Sequence, residues 1–432
     1  MGEVVISLNI FKQQLTLVIN MELEICGNGN EIGRSAFLLK GDKNLMLDYG
    51  VKLHPEPPSY PILPSDRIDA VLLSHAHLDH SGAIPALYNK RNIHSIMTDV
   101  TLDLTTLLLI DSLNISKKEG YDIPFTMHEI KLMKKNTFPI KYENVLKIGD
   151  FDCRFYDAGH IPGSAGIFIE SGKSVFYTGD VQTTDSHLLN GCRLPKKADV
   201  VITESTYGYK DHSKREDEEK RFLDSVEETI ANEENVLIPA FAVGRAQEIL
   251  LMLEDYADKI VLDGMAKKAS EIIDQYRYHK DVKKLKNILR RVKWVHSRQE
   301  RSNILKKRPI AVSSAGMLAG GPAVHYLREI RKQEESKVMF VGFQVEDSPG
   351  AKLIKSGIFD NGEERFNVKC KLEQYQFSSH TDRNGLKEII QKLNPKTVIA
   401  IHGDKTKKFA EYIEKETGVQ ALAPQNGDVI KL

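Results

Sequence analysis

The sequence predicts an α/β protein with more than one compact unit. Short apolar runs typical of buried strands alternate along the chain with longer segments of helical period. Several of these runs end in His, Asp or Glu, as strands of α/β folds do where their carboxyl ends form a ligand site. At 432 residues the chain is too long for one small core, so we expect two domains, or one domain with a large insertion.

The composition argues against several classes of protein. Lys plus Arg and Asp plus Glu both number 60, so the chain has no overall attraction to nucleic acid, and any polyanion site must be a local patch. The four cysteines lie far apart, which argues against a disulfide framework or a cysteine zinc finger and favours a reducing cytoplasm. No apolar run is long enough for a membrane span, so we expect no membrane contact.

The amino-terminal part reads as a series of strands. Residues 1–20 alternate apolar and polar side chains and predict an added strand or hairpin, or a start upstream of the true initiation site, but not a signal peptide. Strand-like runs follow at 22–26, 35–39 and 45–47, separated by glycine-rich turns. Asp48 ends the third run. It is either an ordinary turn residue or a group that hydrogen-bonds and orients a metal ligand.

A cluster of potential metal ligands follows the next strand-like run, at 71–73. Because positions two apart project to the same side of an extended or tightly turned segment, His75 and His77 can hold one ion while Asp79 and His80 turn toward a second. Imidazole and carboxylate groups suit zinc, with manganese or iron as alternatives. Catalytic zinc usually takes three protein ligands and a water, so the rest of the chain must supply more ligands.

The same design recurs wherever a strand-like run ends in a potential ligand. His160 and Asp180 follow two such runs, and the Asp180 carboxylate is suited to bridging two cations. Glu204, His380 and His402 follow three others. Ligand sites in α/β folds form outside the carboxyl ends of strands, so we expect these distant segments to converge on one site.

Two small-residue turns in the second half are candidate phosphate sites. Arg245 begins a helix directly after a glycine, where free backbone N–H groups and the helix dipole favour an anion. Ser313, Ser314 and Gly316 form the second turn. The basic segment 267–308 also contains aromatic residues, which suits a single-stranded polynucleotide, although such a segment is equally the solvated side of a helix.

These residues resemble the motifs of the metallo-β-lactamase fold and, within it, of the β-CASP nucleases, over nearly the whole chain from Met21. The matching positions, in chain order, are Asp48, the group His75, His77, Asp79 and His80, then His160, Asp180, Glu204, His380 and His402. His402 and the residues of two glycine-containing turns, which end at Arg34 and Leu318, look most like the endonuclease subunit of the cleavage and polyadenylation specificity factor. Its short prokaryotic relatives without KH domains are equally similar in these residues. Ribonuclease J is the nearest competitor.

The resemblance implies a fold and a metal site. The fold is an αββα sandwich with an inserted α/β β-CASP domain: an extension at 1–20, a first part of the metallo-β-lactamase domain at 21–205, the β-CASP domain at 206–345 and a second part at 346–432. Two zinc ions are implied per chain, one held by His75, His77 and His160, the other by Asp79, His80 and His402, with Asp180 on both.

The resemblance also implies a mechanism on single-stranded RNA. Two zinc ions lower the pKa of bound water to near 7, and the resulting hydroxide attacks phosphorus in line. Asp79 would orient the nucleophile, and His380 would act as general acid on the departing oxygen while Glu204 holds its proton. Arg245 and the turn at Ser313 would hold other phosphates, and Ser378 and Ser379 are further expected RNA contacts beside His380.

Several alternatives remain open from the sequence. Cleavage is internal, in the manner of the polyadenylation factor, or proceeds from the 5′ end as in ribonuclease J. A small-molecule metallo-hydrolase would use the same metals but would not need the insert 206–345 with its basic segment. A scaffold subunit without catalysis is a third interpretation, which the complete ligand set disfavours. For the ribonuclease interpretation, RNA binding would come from the insert, from another subunit of an RNA-processing complex, or from a homodimer.

Overall fold

The computed structural model describes residues 21–89 and 93–432. The strand or hairpin predicted for residues 1–20 lies outside these described residues. Within them, the strands form two seven-stranded sheets, one six-stranded sheet and a two-stranded ribbon. Helices and sheets alternate along the chain, which confirms the predicted α/β class.

The described chain has 22 strands. They are β1 Glu22–Gly27, β2 Ala36–Lys40, β3 Leu45–Leu47, β4 Ala70–Leu72, β5 His94–Met97, β6 Thr137–Pro139, β7 Val145–Ile148, β8 Phe151–Asp157, β9 Ala165–Ser171, β10 Lys173–Tyr177, β11 Val200–Glu204, β12 Val236–Pro239, β13 Ile260–Asp263, β14 Lys293–Trp294, β15 Ile310–Ser313, β16 Lys337–Phe340, β17 Ile358–Asp360, β18 Arg365–Asn367, β19 Lys371–Gln374, β20 Thr397–Ile401, β21 Gln420–Leu422 and β22 Val429–Lys431.

The same residues contain 12 α-helices. They are α1 Leu78–Ser81, α2 Asp99–Glu119, α3 Met127–Lys135, α4 Arg215–Ala231, α5 Arg245–Met252, α6 Met265–Gln275, α7 Val282–Arg291, α8 Arg298–Ile304, α9 Gly321–Ile330, α10 Pro349–Ser356, α11 Arg383–Leu393 and α12 Thr406–Thr417. In the part of the chain that the structure describes, none of these helices combines the length and apolar character needed to cross a bilayer.

Two sheets form the larger unit. The first has the order β22-β1-β2-β3-β4-β5-β6 and the second the order β21-β20-β11-β10-β9-β8-β7. Each is antiparallel at one end and parallel at the other: β3 to β6 run parallel in the first, as do β10, β11, β20 and β21 in the second. Strand β22 pairs with β1, so the last strand of the chain completes the sheet that begins near Met21.

Apolar side chains fill the space between the two sheets. Leu23 and Phe37 from the first sheet and Phe155 and Ile167 from the second are fully buried in one cluster. Helices α2 and α3 cover the outer face of the first sheet, and α11 and α12 cover that of the second. This order of layers confirms the αββα sandwich, because each sheet buries one face on the other and one on helices.

The third sheet forms the inserted unit. It is parallel throughout, with the order β14-β13-β15-β12-β16-β19 and helices on both faces. Strand β19 lies beyond residue 345, where we placed the end of the insert. The pairing of β19 with β16 favours a boundary after Gln374, which we propose in place of the earlier one.

The insert packs directly on the sandwich through α2 and α6. Val100 and Leu104 of α2 share an apolar cluster with Ala269 and Ile273 of α6. This apolar contact between α2 and α6 holds the insert next to the carboxyl ends of the sandwich strands, where the candidate ligands lie.

Candidate metal centre

Neighbouring strands deliver most of the candidate ligands to one place. Parallel strands β10, β11 and β20 lie side by side, and Asp180, Glu204 and His402 stand at or just beyond their carboxyl ends. His160 comes from the turn between antiparallel strands β8 and β9. The histidine-rich segment follows β4 in the facing sheet, so the site lies at one edge of the sandwich, between the two sheets.

The chain after β4 separates its four ligands into two pairs. His75 and His77 lie in a turn, and Asp79 and His80 lie on the short helix α1 that follows it. Backbone N–H groups of His80 and Ser81 donate to the carbonyl of His77, which begins the helix there. The two pairs therefore project into different clusters.

The first cluster contains His75, His77, His160 and Asp180, all with inward-facing ligand atoms. Nδ1 of His77 lies 3.2 Å from Nε2 of His75 and 3.1 Å from Nε2 of His160. Oδ2 of Asp180 lies 3.5 Å from Nε2 of His75 and 3.6 Å from Nε2 of His160.

The second cluster contains Asp79, His80, Asp180 and His402. Nε2 of His80 lies 3.7 Å from Oδ2 of Asp79 and 3.3 Å from Oδ1 of Asp180. Nε2 of His402 lies 3.4 Å from the same Asp79 oxygen and 3.5 Å from Oδ1 of Asp180. Asp180 thus turns one carboxylate oxygen toward each cluster.

The donor set fits two cations. Zinc binds nitrogen and oxygen ligands at about 2.0–2.2 Å, so tetrahedral neighbours lie about 3.3 Å from one another. The separations within both clusters scatter around this value. Oδ1 of Asp180 is buried and has no hydrogen-bond partner among the described residues, a cost that a bound cation would offset.

Electrostatics in the first cluster also suit metal binding. Burial raises the pKa of Asp180, but the surrounding imidazoles outweigh it and hold that pKa well below its ordinary value. Burial lowers the pKa of His75 and His160 well below the ordinary value, so both rings are neutral. A neutral ring has a lone pair for a cation, and a charged carboxylate supplies the compensating anion.

Asp48 lies behind the second cluster and contacts His80. Its Oδ2 accepts a hydrogen bond from Nδ1 of His80 at 2.7 Å and another from the Tyr177 hydroxyl at 2.6 Å. The backbone and hydroxyl of Ser74 both donate to the Asp48 carboxylate at 2.7 Å. Asp48 is fully buried and therefore fixes both the orientation and the tautomer of His80, which leaves Nε2 free to bind a cation.

Other histidines are oriented in the same way. Nδ1 of His160 donates to the carbonyl of Ser379 at 3.0 Å, and Nδ1 of His402 lies 3.0 Å from the Thr206 hydroxyl. Each ring therefore turns Nε2 inward. Sequence reasoning missed Thr206 and the Ser379 carbonyl, because a hydroxyl or a backbone group carries no pattern that marks it as a ligand's partner.

His380 and Glu204 form a separate pair beside the shared carboxylate. Nδ1 of His380 lies 2.9 Å from both oxygens of Glu204, which is buried and also accepts from the backbone N–H of Val181 at 2.8 Å. Nε2 of His380 lies 3.9 Å from Oδ2 of Asp180. Burial lowers the pKa of His380, but the charges of Glu204 and Asp180 outweigh it and raise that pKa to about 9.

The turn that carries His380 is fixed to the loop after Asp180. Gln182 donates through Nε2 to the carbonyls of Ser378 and His380, each at 3.1 Å. The backbone N–H of Thr381 donates to the carbonyl of Val181 at 2.7 Å. Sequence reasoning did not single out Gln182, which positions His380 from a segment almost 200 residues away.

Three family descriptions match successive parts of the chain. Residues 44–228 match the β-lactamase superfamily domain, 246–353 the β-CASP domain, and 365–424 the Zn-dependent metallo-hydrolase RNA specificity domain. The three matches fall on the first part of the sandwich, the insert and the returning part, in that order.

Curated relatives match almost the whole chain. It is 36% identical to the protein named Probable RNase MJ4 from Methanocaldococcus jannaschii, over 95% of this chain and 100% of that protein. It is 34% identical to RNase aCSPSF2 from Saccharolobus solfataricus, over 96% of this chain and 86% of the relative. The chain belongs to the β-CASP family of metal-dependent ribonucleases. This membership confirms the resemblance drawn from the motifs.

Two further comparisons of this β-CASP ribonuclease concern a third curated relative and a solved structure. It is 32% identical to the Transcription termination factor FttA of Methanocaldococcus jannaschii, over 95% of this chain and 72% of that protein. A crystal structure of a protein of unknown function from Enterococcus faecalis V583 has the same fold, with a TM-score of 0.63 and 14% identity over 96% of this chain and 100% of that one.

Some predicted phosphate contacts of this β-CASP ribonuclease lie beside the metal centre. Nη2 of Arg245 donates to the Ser379 hydroxyl at 2.9 Å, one residue from His380. Arg245 is largely buried, its Nε has no partner among the described residues, and burial lowers its pKa to about 10, so it remains charged at neutral pH. The Ser378 hydroxyl accepts from the backbone N–H of His380 at 3.0 Å.

The second predicted phosphate turn does not offer its hydroxyls to the cleft. Ser313 is fully buried and its hydroxyl donates to the carbonyl of Ser314 at 3.2 Å. The Ser314 hydroxyl accepts from the backbone N–H of Met265 at 2.9 Å. Gly316 packs so closely on Phe241 that a Cβ there would lie 3.0 Å from its backbone nitrogen. The Ser313 and Ser314 hydroxyls are therefore engaged within the protein, and phosphate binding by the backbone of this turn stays a prediction.

Several cations of the basic segment 267–308 form ion pairs. Its cations pair with acidic residues from neighbouring elements as Lys280–Asp185, Lys284–Glu254, Arg291–Asp258, Lys293–Glu300 and Arg301–Asp263. These cations are therefore engaged within the protein, and RNA binding by the other cations of this segment stays a prediction.

Proposed function

We propose that this chain is a zinc-dependent ribonuclease that hydrolyses phosphodiester bonds of single-stranded RNA at a centre of two metal ions. The observation that carries the proposal is Asp180, whose two oxygens face two complete ligand clusters and whose Oδ1 has no other partner among the described residues. The relatives named RNases and the RNA specificity domain support RNA as the substrate.

Zinc is the metal that the donor set suits best. The clusters offer imidazole nitrogens and carboxylate oxygens in groups of four around each position, and zinc favours such mixed ligands in tetrahedral geometry. His75, His77 and His160 would hold one ion, and Asp79, His80 and His402 the other, with Asp180 shared. When bound, two such ions supply Lewis acidity toward the phosphodiester and lower the pKa of coordinated water.

The chain's own residues complete the reaction. The Asp79 side chain is 31% exposed, so its carboxylate can also accept a hydrogen bond from the attacking water and orient it toward phosphorus. As the bond between phosphorus and the departing 3′ oxygen breaks, Nε2 of His380 gives that oxygen a proton. Glu204 accepts from Nδ1 and so holds the imidazole protonated and correctly turned.

Arg245 would bind a phosphate next to the scissile one. Its guanidinium already contacts Ser379, and its unsatisfied Nε is a donor for which a phosphate oxygen is the natural partner. Burial in the cleft strengthens that interaction, since a charge is worth more away from water.

The experiment that tests the proposal uses purified, zinc-loaded protein on one RNA prepared as a circle and as linear forms with 5′-hydroxyl, monophosphate or triphosphate ends. We expect cleavage of the circle, as for an endonuclease in RNA processing or decay. An Asp79→Ala variant is the control for contaminating nucleases. Bound zinc is measured alongside and should approach two ions per chain.

The outcomes separate the alternatives. Degradation of linear RNA alone, fastest with a 5′ monophosphate, would assign a purely 5′-to-3′ exonuclease of the ribonuclease J kind. No cleavage of any form by a zinc-loaded protein would overturn the ribonuclease proposal. A homodimer or an RNA-processing complex, and a cytoplasmic location, stay predictions from the sequence.

A further inference from the structure

Two large aromatic side chains are exposed close to the metal centre. Tyr209 is 39% exposed and Phe343 is 40% exposed. Tyr209 lies on the segment that leads from β11 of the sandwich into the insert, whereas Phe343 follows β16 within the insert, so the two rings come from segments far apart in sequence. Tyr207 links Phe343 to the site, because its ring centre is 6.3 Å from that of Phe343 and 6.3 Å from that of His380. We call Tyr207, Tyr209 and Phe343 the aromatic rim.

Two lysines accompany the aromatic rim. Nζ of Lys405 lies 3.8 Å from the ring centre of Tyr209. Nζ of Lys210 lies 5.1 Å from the ring centre of Tyr207 and 5.8 Å from that of Tyr209. Unlike the paired cations of the basic segment, neither lysine pairs with a carboxylate among the described residues, so both charges are available to a phosphate.

The aromatic rim is held in place from both domains. Gln344 donates to the carbonyl of Gly316 at 3.1 Å, which ties the loop of Phe343 to the turn after β15. On the sandwich side, the backbone N–H of Arg383 donates to the carbonyl of Lys210 at 3.2 Å. The buried turn at Gly316 therefore anchors a loop at the cleft, although its side chains do not reach RNA.

The exposed rings and the lysines beside them have the features of a binding site. Phe343 and Tyr209 leave much of their apolar surface in water, and exposed apolar surface that clusters beside a cleft marks a binding site more often than scattered residues do. Rings that accompany unpaired lysines are the combination that binds single-stranded nucleic acid, because every base has a face that stacks and every phosphate attracts a cation.

We propose that the aromatic rim is a nucleobase platform, on which bases next to the scissile phosphate stack while Lys210 and Lys405 bind the flanking phosphates. This proposal rests on the proposed function, since it names the part of the RNA that binds here. Stacking on Phe343 and Tyr209 would place the phosphodiester beside His380. Because stacking does not read base edges, the platform favours unpaired RNA without a strict sequence requirement.

The test compares Phe343→Ala and Tyr209→Ala with Phe138→Ala, which removes an exposed ring from the edge strand β6 of the first sheet. Zinc-loaded proteins are assayed on single-stranded RNA for KM and kcat. In a His380→Ala background, which slows cleavage, the same changes are titrated with RNA that carries 2-aminopurine, whose fluorescence falls when the base stacks.

We expect Phe343→Ala and Tyr209→Ala each to weaken RNA binding roughly tenfold and to remove most of the quenching, because one stacked base contributes about 1–3 kcal/mol. The zinc content of both alanine variants should not change. Phe343→Trp, in contrast to Phe343→Ala, should bind RNA as the unmodified protein does. Lys405→Ala should weaken RNA binding equally for all RNA sequences. The slope of the logarithm of the binding constant against the logarithm of salt concentration should fall by about one phosphate contact.

The outcomes distinguish this proposal from the proposed function. If the intact protein cleaves RNA but the aromatic rim variants bind and quench like Phe138→Ala, the platform is overturned and the ribonuclease stands. If the protein cleaves no RNA but shows quenching that depends on Phe343, the platform stands and the catalytic proposal fails. If the protein cleaves no RNA and the aromatic rim variants bind RNA and quench fluorescence like Phe138→Ala, both proposals are overturned.

Discussion

The role proposed for each histidine follows from where its Nε2 lies. Asp48 accepts from Nδ1 of His80, and a backbone carbonyl accepts from Nδ1 of His160, so each of these rings turns Nε2 into a cluster of four ligands. Nδ1 of His380 also meets a carboxylate, that of Glu204, but Nε2 of His380 lies outside both of these clusters, 3.9 Å from Oδ2 of Asp180. The same side chain is thus suited to metal binding in one position and to proton donation in another.

Replacing His380 tests this division of roles. His380→Ala should slow RNA cleavage by about 10²-fold or more, because a positioned general acid contributes on the order of 10²–10⁴-fold. Bound zinc, measured by metal analysis on the same preparation, should stay at the level of the unmodified protein. Loss of zinc together with activity would instead identify His380 as a ligand. His402→Ala is the matched variant, for which we expect loss of both.

Replacing Asp48 tests the orientation of a proposed ligand. Asp48→Asn keeps the size of the side chain but loses the charged acceptor for Nδ1 of His80. We expect zinc affinity to fall about 10–100-fold, as is typical when an outer partner of a metal ligand is lost. Competition with a chelator gives the affinity, and circular dichroism shows whether the fold survives. Unchanged zinc affinity in a folded protein would contradict the role of Asp48.

At the level of elements, close backbone contacts hold the ligand-bearing helix α1 against the turn after β3. A Cβ at Gly50 would lie 1.8 Å from the carbonyl oxygen of Asp79 and 2.7 Å from the nitrogen of His80. That carbonyl also accepts from the backbone N–H of Ser35 at 2.7 Å. Any side chain at Gly50 must therefore move the segment that carries two proposed ligands.

We expect Gly50→Ala to lower the free energy of unfolding by about 1–3 kcal/mol or more, the usual cost of forcing extra atoms into a packed site. It should also weaken zinc binding, since both residues of the second cluster on α1 are displaced. Denaturant unfolding and metal analysis give the two quantities. Gly320→Ala is the control, because a Cβ there meets no atom within 4 Å. Equal behaviour of the two variants would contradict this account.

At the level of the whole molecule, the metal centre joins segments that are far apart in sequence. Its candidate ligands extend from His75 to His402 and come from both sheets of the sandwich. The insert reaches the same place through Arg245 and its bond to Ser379. Cations at this position would therefore connect the two halves of the sandwich.

Removal of metal should accordingly destabilise the folded chain. Two ions that bind only the native state contribute about 2.7 kcal/mol each when free zinc is 100 times Kd. We expect Tm to fall by several degrees after treatment with a chelator and to rise again with the logarithm of added zinc. Differential scanning calorimetry measures this. A Tm that does not respond to zinc concentration would argue against structural coupling between the metal centre and the fold.

Local patterns were enough to predict the α/β class and the positions of the candidate ligands. Each of Asp180, Glu204 and His402 stands at or just past the end of an apolar run, and parallel strands bring their carboxyl ends to a common edge. The motif spacing also indicated which family the chain resembles, which the relatives confirm.

Other features depended on contacts that no local pattern records. The sequence by itself determined the ligand types and their places after apolar runs, since these follow from short-range periodicity and side-chain chemistry. Only the tertiary structure decided that β19 extends the insert sheet, that Ser313 is buried, and that the rings of Tyr207 and Phe343 lie next to each other. The physical reason is that burial and partner choice arise from packing between segments that are distant in the sequence.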